Sequence, residues 1–580
     1  MSAELAMSPA AASSGTGGKR PWLAAYPPGV PHDIDTDAVG TLVSQFDESV
    51  RRYPERPAVE SFGVRRSYSD IAAASGAVAS WLLAKGLRTG DRVAIMMPNV
   101  MAYPVVLFGA LGAGATVVNV NPLYTPRELT FQLRDSGARI LFVLENFAST
   151  VEAAGADLSL SDIVIVRPGD LLGIKGKVVD LVSRYVKKAV PPFRLPGSVR
   201  FADVLDAGRK APQARPDVRP EDVAFLQYTG GTTGTAKGAT LTHRNVAANV
   251  IQSEIWMRDA MGDGEHVVVT ALPLYHIFAL TACCMVQVRL GGCQLLIANP
   301  RDIPGFVKTL KTRRFTGISG VNTLYGALAR APGIREVDFS RLRVCVAGGM
   351  TTQAAVAKAW KDLTGRPIIE GYGLSETSPV VSTNRFDIAE FTGTVGYPMP
   401  STDVSIRGED GREVPAGEPG ELCVRGPQVM QGYWQKPDET ARVMTADGYL
   451  RTGDVAVLLP DGQLKLVDRI KDMILVSGFN VYPSEVEDVL ASMPGVAEVA
   501  VIGRPSETAG EAVTAYIVRS EASVTEAAVT AWCRERLTGY KVPRSVVFRD
   551  TLPKTNVGKV LRRVLKEEVA GNGGGPVAIR

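Results

Sequence analysis

Between about residues 40 and 350 two hydrophobic rhythms alternate along the chain. YSDIAAASGAVASWLLAKG (residues 68–86) repeats apolar residues at helical spacing and stops at a glycine, which predicts a helix. DRVAIMMPN (91–99) follows as a short, dense apolar run and predicts a strand. ELTFQLRDSGARILFVLE (128–145) repeats the order helix, turn, strand. Such alternation predicts βαβ units and mostly parallel sheets. Residues 93–126 hold no charged residue and imitate a membrane span, yet Pro98, Pro104 and Pro122 with Gly109, Gly112 and Gly114 cut them into pieces. A buried strand, a helix and a second strand are expected there. The apolar run 267–288, interrupted by Pro273 and His276, is read the same way.

Beyond about residue 393 the texture changes to short strands with Gly, Pro and Asp turns, as in EPGELCVRGPQVMQGYW and ADGYLRTGDVAVLLPDGQLKLVD. These predict an antiparallel sheet or a barrel-like layer. After DRIKD (468–472) one helix, two strands and a further helix suffice for a small α+β domain. Residues 1–25 read as a disordered leader and 569–580 as a flexible tail. No internal repeat is visible.

A chain of 580 residues exceeds one ordinary core, so two or more domains are expected. With 45% hydrophobic and 21% charged residues the composition is globular. A net charge of +4 gives no argument for nucleic-acid binding. The six cysteines show no CxxC spacing and sit mostly in apolar runs, which argues for buried free thiols.

Candidate chemistry concentrates in YTGGTTGTAKGATLTHRN (228–245), between the strand-like VAFLQ and a helix-like NVAANVIQSEIWM. A Gly- and Thr-rich turn after a strand offers free backbone N–H groups, hydroxyls and one ammonium, the parts of a phosphate cradle. It lacks the G-K-[ST] of the usual P-loop. An ordinary flexible linker has the same composition.

The loop resembles the phosphate-binding signature of the adenylate-forming enzymes: acyl-CoA synthetases, luciferases and peptide-synthetase adenylation domains. Four more motifs of that superfamily follow in order: EGYGLSETSP (370–379), YLRTGDVA (449–456), DRIKDMILVSGFNVYPSEVE (468–487) and PKTNVGKVLRR (553–563). The resemblance implies that Tyr228, Thr229, Gly230, Gly231, Thr232, Thr233, Gly234, Thr235, Ala236, Lys237, Gly238 and Ala239 bind ATP. Gly349, Gly371, Tyr372, Gly373, Asp454 and Arg469 join them: Tyr372 packs on adenine, Asp454 binds the ribose hydroxyls and Arg469 reaches ribose or phosphate. Glu376 and Thr229 hold Mg²⁺, since a hard carboxylate oxygen suits the metal of MgATP. Lys559 is the catalytic cation that offsets charge as a carboxylate attacks the α-phosphate. Lys471 is the hinge on which the small domain turns, and Gly478 lies on the face presented to coenzyme A. Read blandly, Glu376 caps a helix, Asp454 is a turn residue and Lys559 a solvated lysine of a basic helix.

The expected acyl pocket uses PLYHIFALT (273–281), GVNTLY (320–325) and VAGGM (346–350), with His276, Leu280, Val321 and Gly348 as its candidate residues. An apolar chain fits these linings. By the same resemblance Leu280 stands where some relatives carry an aromatic gate, so tunnel gating is not carried over. Ser375 stands where threonine is commoner. These segments and the insertion RPGDLLGIKGKVVDLVSRYVKKAVPPFRLPGSVR (167–200) are most similar to the bacterial long-chain fatty-acid:CoA ligases. In the insertion Leu171, Ile174, Val178, Val182 and Tyr185 fall at helical spacing, and eight basic residues against two acidic ones give a local charge of +6. A basic amphipathic helix can lie on an anionic membrane; one packed on its own domain reads the same way, and Gly173 and Gly176 weaken either helix.

The resulting expectation is an α/β multidomain protein. A large N-terminal domain of two α/β subdomains plus a β-barrel-like layer (26–470) is joined to a small mobile α+β C-terminal domain (471–568). The implied activity is a long-chain fatty acid:CoA ligase using ATP, Mg²⁺ and coenzyme A. A medium-chain or aryl acid:CoA ligase is the rival within the superfamily, and a non-catalytic nucleotide-dependent membrane adaptor the rival of another class. The expected partners are small molecules, a homodimer and peripheral contact with the inner face of the membrane in a cytoplasmic protein, without nucleic acid.

Overall fold

The computed structural model describes residues 20–155, 158–229, 236–506, 509–555 and 558–571. Two large, mainly parallel sheets build the N-terminal part. Among the described residues one has nine strands, with the parallel run Ile369–Gly373, Val344–Ala347, Gly317–Gly320, Val267–Thr270, Cys293–Leu296 and Pro57–Ser61 at its centre. The other has eight, centred on Val223–Thr229, Thr116–Asn119, Arg92–Met96, Ala138–Leu144 and Asp162–Val166. Strand side chains alternate between faces, and the core follows that period. Val268 and Val344 of the first sheet, with Val93 and Ile95 of the second, share one cluster with the helices between the sheets. Val269 and Cys345 pack outward into a second cluster, Ala94 and Met96 into a third. The result is a stack of helices, sheet, helices, sheet and helices.

The uncharged run at 93–126 folds as expected: strand Arg92–Met96, helix Ala102–Gly112 buried along its whole length, and strand Thr116–Asn119. No helix among the described residues is long and apolar enough to cross a membrane. All six cysteines are buried and free.

The β layer is a four-stranded antiparallel sheet of Asp403–Arg407, Gly420–Arg425, Leu450–Leu458 and Leu464–Arg469. Past the short turn Ile470–Asp472 the chain enters a separate five-stranded sheet, built around the pairing of Val496–Ser506 with Gly510–Arg519. Helix Pro483–Ala491 packs against it.

Two expectations need correction. The leader is not disordered through residue 25: Pro21–Ala25 forms a 3-10 turn, and Arg20 forms ion pairs with Asp33 and Asp403. Trp22 is buried against Gly462, where a Cβ would come within 2.4 Å of the Trp22 Cα. Residues 1–19, and 572–580 of the expected tail, lie outside the described residues. The insertion does form a helix, but Leu171 precedes it with left-handed backbone (φ +68°), and the helix spans Ile174–Leu181 with a π-helical continuation Val182–Val186. Gly176 does not weaken it, because the inner face packs backbone to backbone there: a Cβ on Gly176 would lie 2.0 Å from the Gly169 carbonyl oxygen.

Candidate active site

The parallel strands of the nine-stranded sheet end at Gly320, Ala347 and Gly373, and a cavity of about 970 Å³ opens at that edge. Carboxyl ends of parallel strands are where such folds hold ligands. The cavity has two chemically distinct halves.

The mouth is charged. Asp454 and Arg469 are cross-strand partners in the hairpin of the β layer, and Arg469 Nε lies 3.0 Å from Asp454 Oδ1. The Tyr372 hydroxyl donates to Asp454 Oδ2 at 2.7 Å, leaving the ring face along the cavity wall. Burial, reinforced by the Asp454 charge, raises the Tyr372 phenol well above its ordinary range, so it stays a donor. The Tyr433 hydroxyl donates to Glu376 Oε1 at 2.8 Å, while Lys237 pairs with Glu439 and lies over the Tyr433 ring at 5.0 Å. Thr229, Gly349, Gly371 and Gly373 border the same space.

Tyr228 also borders the cavity, but its hydroxyl is committed to Asp135 Oδ2 at 2.6 Å. Gly238 faces the Tyr228 ring, and Ala239 is buried in the core. Ala236 packs against the outer core of that sheet. Gly230, Gly231, Thr232, Thr233, Gly234 and Thr235 lie outside the described residues.

Lys559 enters the mouth from the small domain. Its backbone N–H donates to the Thr555 hydroxyl at 3.1 Å and its carbonyl accepts from Thr555 N–H at 2.7 Å, which fixes the loop. The neighbouring Gly558 carbonyl accepts from the Thr323 hydroxyl of the large domain at 3.5 Å. Burial, then the positive charge of Arg469, pushes the Lys559 ammonium down to about 8. His276 N-caps the next helical segment through Nδ1, which accepts from Phe278 N–H at 3.4 Å. Burial, then the charge of Lys559, lowers the imidazole to about 4, so it is neutral near pH 7.

The depth of the cavity is mainly apolar, with Ser253, Gln287 and Ser319 as its uncharged polar members. Val344 and Val346 line it while Cys345 between them packs into the outer cluster, and Gly317 and Ser319 take the same face of the adjacent strand. The cavity therefore runs along the strands from Ala347 back to Val344, three residue steps or about 10 Å. Trp256, Met257 and Met261 close it from the helix His243–Met261, and Phe278, Ala282 and Val286 from the helical run after His276. That run carries the π-helical stretch Leu280–Met285, a feature frequent at functional sites. No charged side chain lines this half.

Of the acyl candidates, His276, Val321 and Gly348 border the cavity. Leu280 does not: it is wholly buried in the core, and the aromatic that follows the histidine and reaches the wall is Phe278, 3.3 Å or less from where a Gly348 Cβ would stand. Lys471 lines the mouth within the inter-domain turn. Gly478 does not reach the cavity; beside it Phe479 is exposed and stacks on Tyr540 at 4.8 Å. The orientation that brings Lys559 inward turns this face outward.

Comparison with known proteins agrees with this geometry. The description "AMP-binding enzyme" matches residues 46–434, and "AMP-binding enzyme C-terminal domain" matches 485–559. The chain belongs to the AMP-binding enzyme family. It is 51% identical over 555 residues to a long-chain-fatty-acid--CoA ligase of Escherichia coli O6:H1, covering 95% of this chain and 99% of that one. A protein of the same name from Bacillus subtilis is 36% identical over 559 residues, covering 96% and 99%. Among solved structures, an anthranilate CoA ligase in complex with anthranoyl-AMP superposes with a TM-score of 0.82 at 25% identity, covering 94% of this chain and 99% of that one.

Several lining residues carry no motif. Tyr433, Trp256 and Met257 come from segments whose pattern reads simply as strand or helix, whereas Phe278 lies within the expected pocket segment 273–281 without being one of its candidate residues. Ser253, Trp256 and Met257 do share one face of a helix, the one signal available, but that spacing serves a packed core equally well.

Proposed function

We propose that the protein is a long-chain fatty acid:CoA ligase that works through an acyl-adenylate. The observation that carries this reading is one cavity with a charged mouth and a long uncharged interior. A second carboxylate or an ammonium group in that interior would be buried without an opposite charge, which is strongly unfavourable. An alkyl chain meets no such penalty. The long-chain-fatty-acid--CoA ligases to which the chain is similar span nearly its whole length.

In the first step a fatty-acid carboxylate oxygen attacks the α-phosphorus of ATP and pyrophosphate leaves. Two anions meet, and Lys559, beside neutral His276, supplies the offsetting positive charge at the mouth. The loop 228–239 would hold the phosphates, Tyr372 the adenine face, and Asp454 with Arg469 the ribose. Hard oxygens from Glu376 and Thr229 suit Mg²⁺, which keeps several waters and binds mainly through substrate phosphates; bound there, it would neutralise phosphate charge. In the second step the thiolate of coenzyme A attacks the acyl carbon and AMP leaves. The second step needs a different face of the small domain, so rotation about Lys471 would replace Lys559 by the Gly478 face. Fatty acids partition into bilayers, so peripheral membrane contact through residues 167–200 belongs to the same reading.

Product analysis tests the reaction. Palmitate, MgATP and coenzyme A should yield palmitoyl-CoA with one AMP and one pyrophosphate per thioester. Formation of ADP and phosphate, or ATP turnover without thioester, would overturn it.

A further inference from the structure

Among the described residues exposed large apolar side chains are few, and half of them sit together on the insertion. Ile174 is 87% exposed, Tyr185 70%, Val186 68%, Val178 59% and Leu181 55%. The first four in chain order, Ile174, Val178, Leu181 and Tyr185, recur at steps of four, three and four, a single outward helical stripe. The inner face is clamped by the Gly169–Gly176 backbone contact and by Leu172 and Val179 in the core. Arg66 donates twice to the Leu171 carbonyl, at 2.7 and 2.9 Å. The stripe is thus held out on a fixed support.

The charges around it are sorted. Both acidic residues of the insertion turn inward: Asp180 Oδ1 accepts from Gly169 N–H and Asp170 Oδ2 from Arg167 N–H, each at 2.7 Å. Arg184 is bound to buried Glu145 at 2.5 Å. Lys175, Lys177, Lys187 and Lys188 remain exposed, with no ion pair among the described residues. A second element adds to the face. Phe62, at the tip of the turn between strands Pro57–Ser61 and Val64–Ser67, is 47% exposed on left-handed backbone (φ +49°). Bulky residues rarely adopt that conformation. Gly63 beside it abuts the helix, since a Cβ there would lie 3.2 Å from Lys175 Nζ.

The geometry points to a docking face for an anionic lipid bilayer, formed by the stripe, the four lysines and Phe62. It rests on the membrane-contact reading of residues 167–200 and names the side chains and the lipid charge that contact requires. The helical run is about 20 Å long, too short to span a bilayer, so it lies in the headgroup plane with its apolar stripe inserted. The lysines ring the stripe at the level of lipid phosphates.

The test is flotation of the full chain with phosphatidylglycerol-containing vesicles and with neutral phosphatidylcholine vesicles. Binding should favour the anionic vesicles and weaken as salt is raised. Replacing Ile174, Val178 and Leu181 by serine, all at exposed positions, should reduce partitioning by at least about tenfold. Replacing the four lysines by glutamine should abolish the preference for anionic lipid, and Phe62→Ser should weaken binding on its own. Acid-dependent ATP–pyrophosphate exchange with octanoate in vesicle-free buffer should be unchanged in every variant, which separates failure of the docking face from failure of the ligase reading. Undiminished binding by the serine variant, equal binding to neutral vesicles, or no binding at all would overturn the proposal. So would a wild-type dimer that the serine variant cannot form, because the face would then pair with a second copy.

Discussion

Lys559 reaches the cavity with its proton held less tightly than on an exposed lysine, because burial and Arg469 both disfavour the charge. The sign of the consequence follows. The ammonium is the active form, present below a pKa of about 8 and lost above it, so kcat/KM for adenylation should fall as pH rises through that value. Lys559→Arg should move the descending limb upward, since a guanidinium does not deprotonate there. Lys559→Ala should lower adenylation by roughly 10²–10³-fold, while thioester formation from supplied acyl-AMP survives. Equal loss of both half-reactions, or a flat profile to pH 10, contradicts the role. At this scale the sequence was informative where a residue sits in a motif. Asp454 and Arg469 face each other across a hairpin because TGD and DR open and close it in register. Tyr433, which holds Glu376, and Phe278, which forms the wall assigned to Leu280, were not legible, because contact across the fold leaves no local pattern.

The strands Gly317–Gly320 and Val344–Ala347 decide how long a substrate the cavity accepts. Alternation gives Val344 and Val346 to the cavity and Cys345 to the core, and Val344 stands at the deep end. Val344→Phe should shorten the interior, and overpacking of about one to three kcal/mol corresponds to roughly a 5–150-fold loss in kcat/KM for palmitate. Butyrate, whose chain is well under half of the roughly 10 Å run to that wall, should be used nearly as before. Parallel loss for both acids would mean a general packing defect. The elements were largely legible from period: helix Tyr68–Ala84, strand Arg92–Met96 and the pieces of the uncharged run lie where the rhythm changes. The insertion was legible as a helix but not in phase. Its stripe passes through Leu181 rather than Val182, because the helix starts after Gly173, and Leu171 belongs to the turn before it.

The whole molecule is two bodies joined by the turn Ile470–Asp472, and buried charge fixes one relation between them. Arg562, three residues beyond Lys559, contacts Glu487 at 2.7 Å, Asp472 at 3.4 Å and Asp468 at 3.7 Å, while Asp468 Oδ2 accepts from Ser484 N–H at 2.8 Å. These bonds cross the turn and hold Lys559 toward the cavity. Lys471→Pro should stiffen the turn, leaving pyrophosphate exchange near wild type and depressing thioester formation; an unaffected second step would remove Lys471 from the hinge role. The broad architecture was legible because five motifs occur in order, whereas the relation between the two bodies depends on side chains brought together only by folding.

The most direct test of the central claim is acid-dependent ATP–pyrophosphate exchange without coenzyme A, across acetate, octanoate, palmitate, oleate and benzoate. The account predicts exchange strongest with palmitate and oleate, weak with acetate and benzoate, and lost in Lys559→Ala. Exchange strongest with benzoate, or none with any acid, would contradict it.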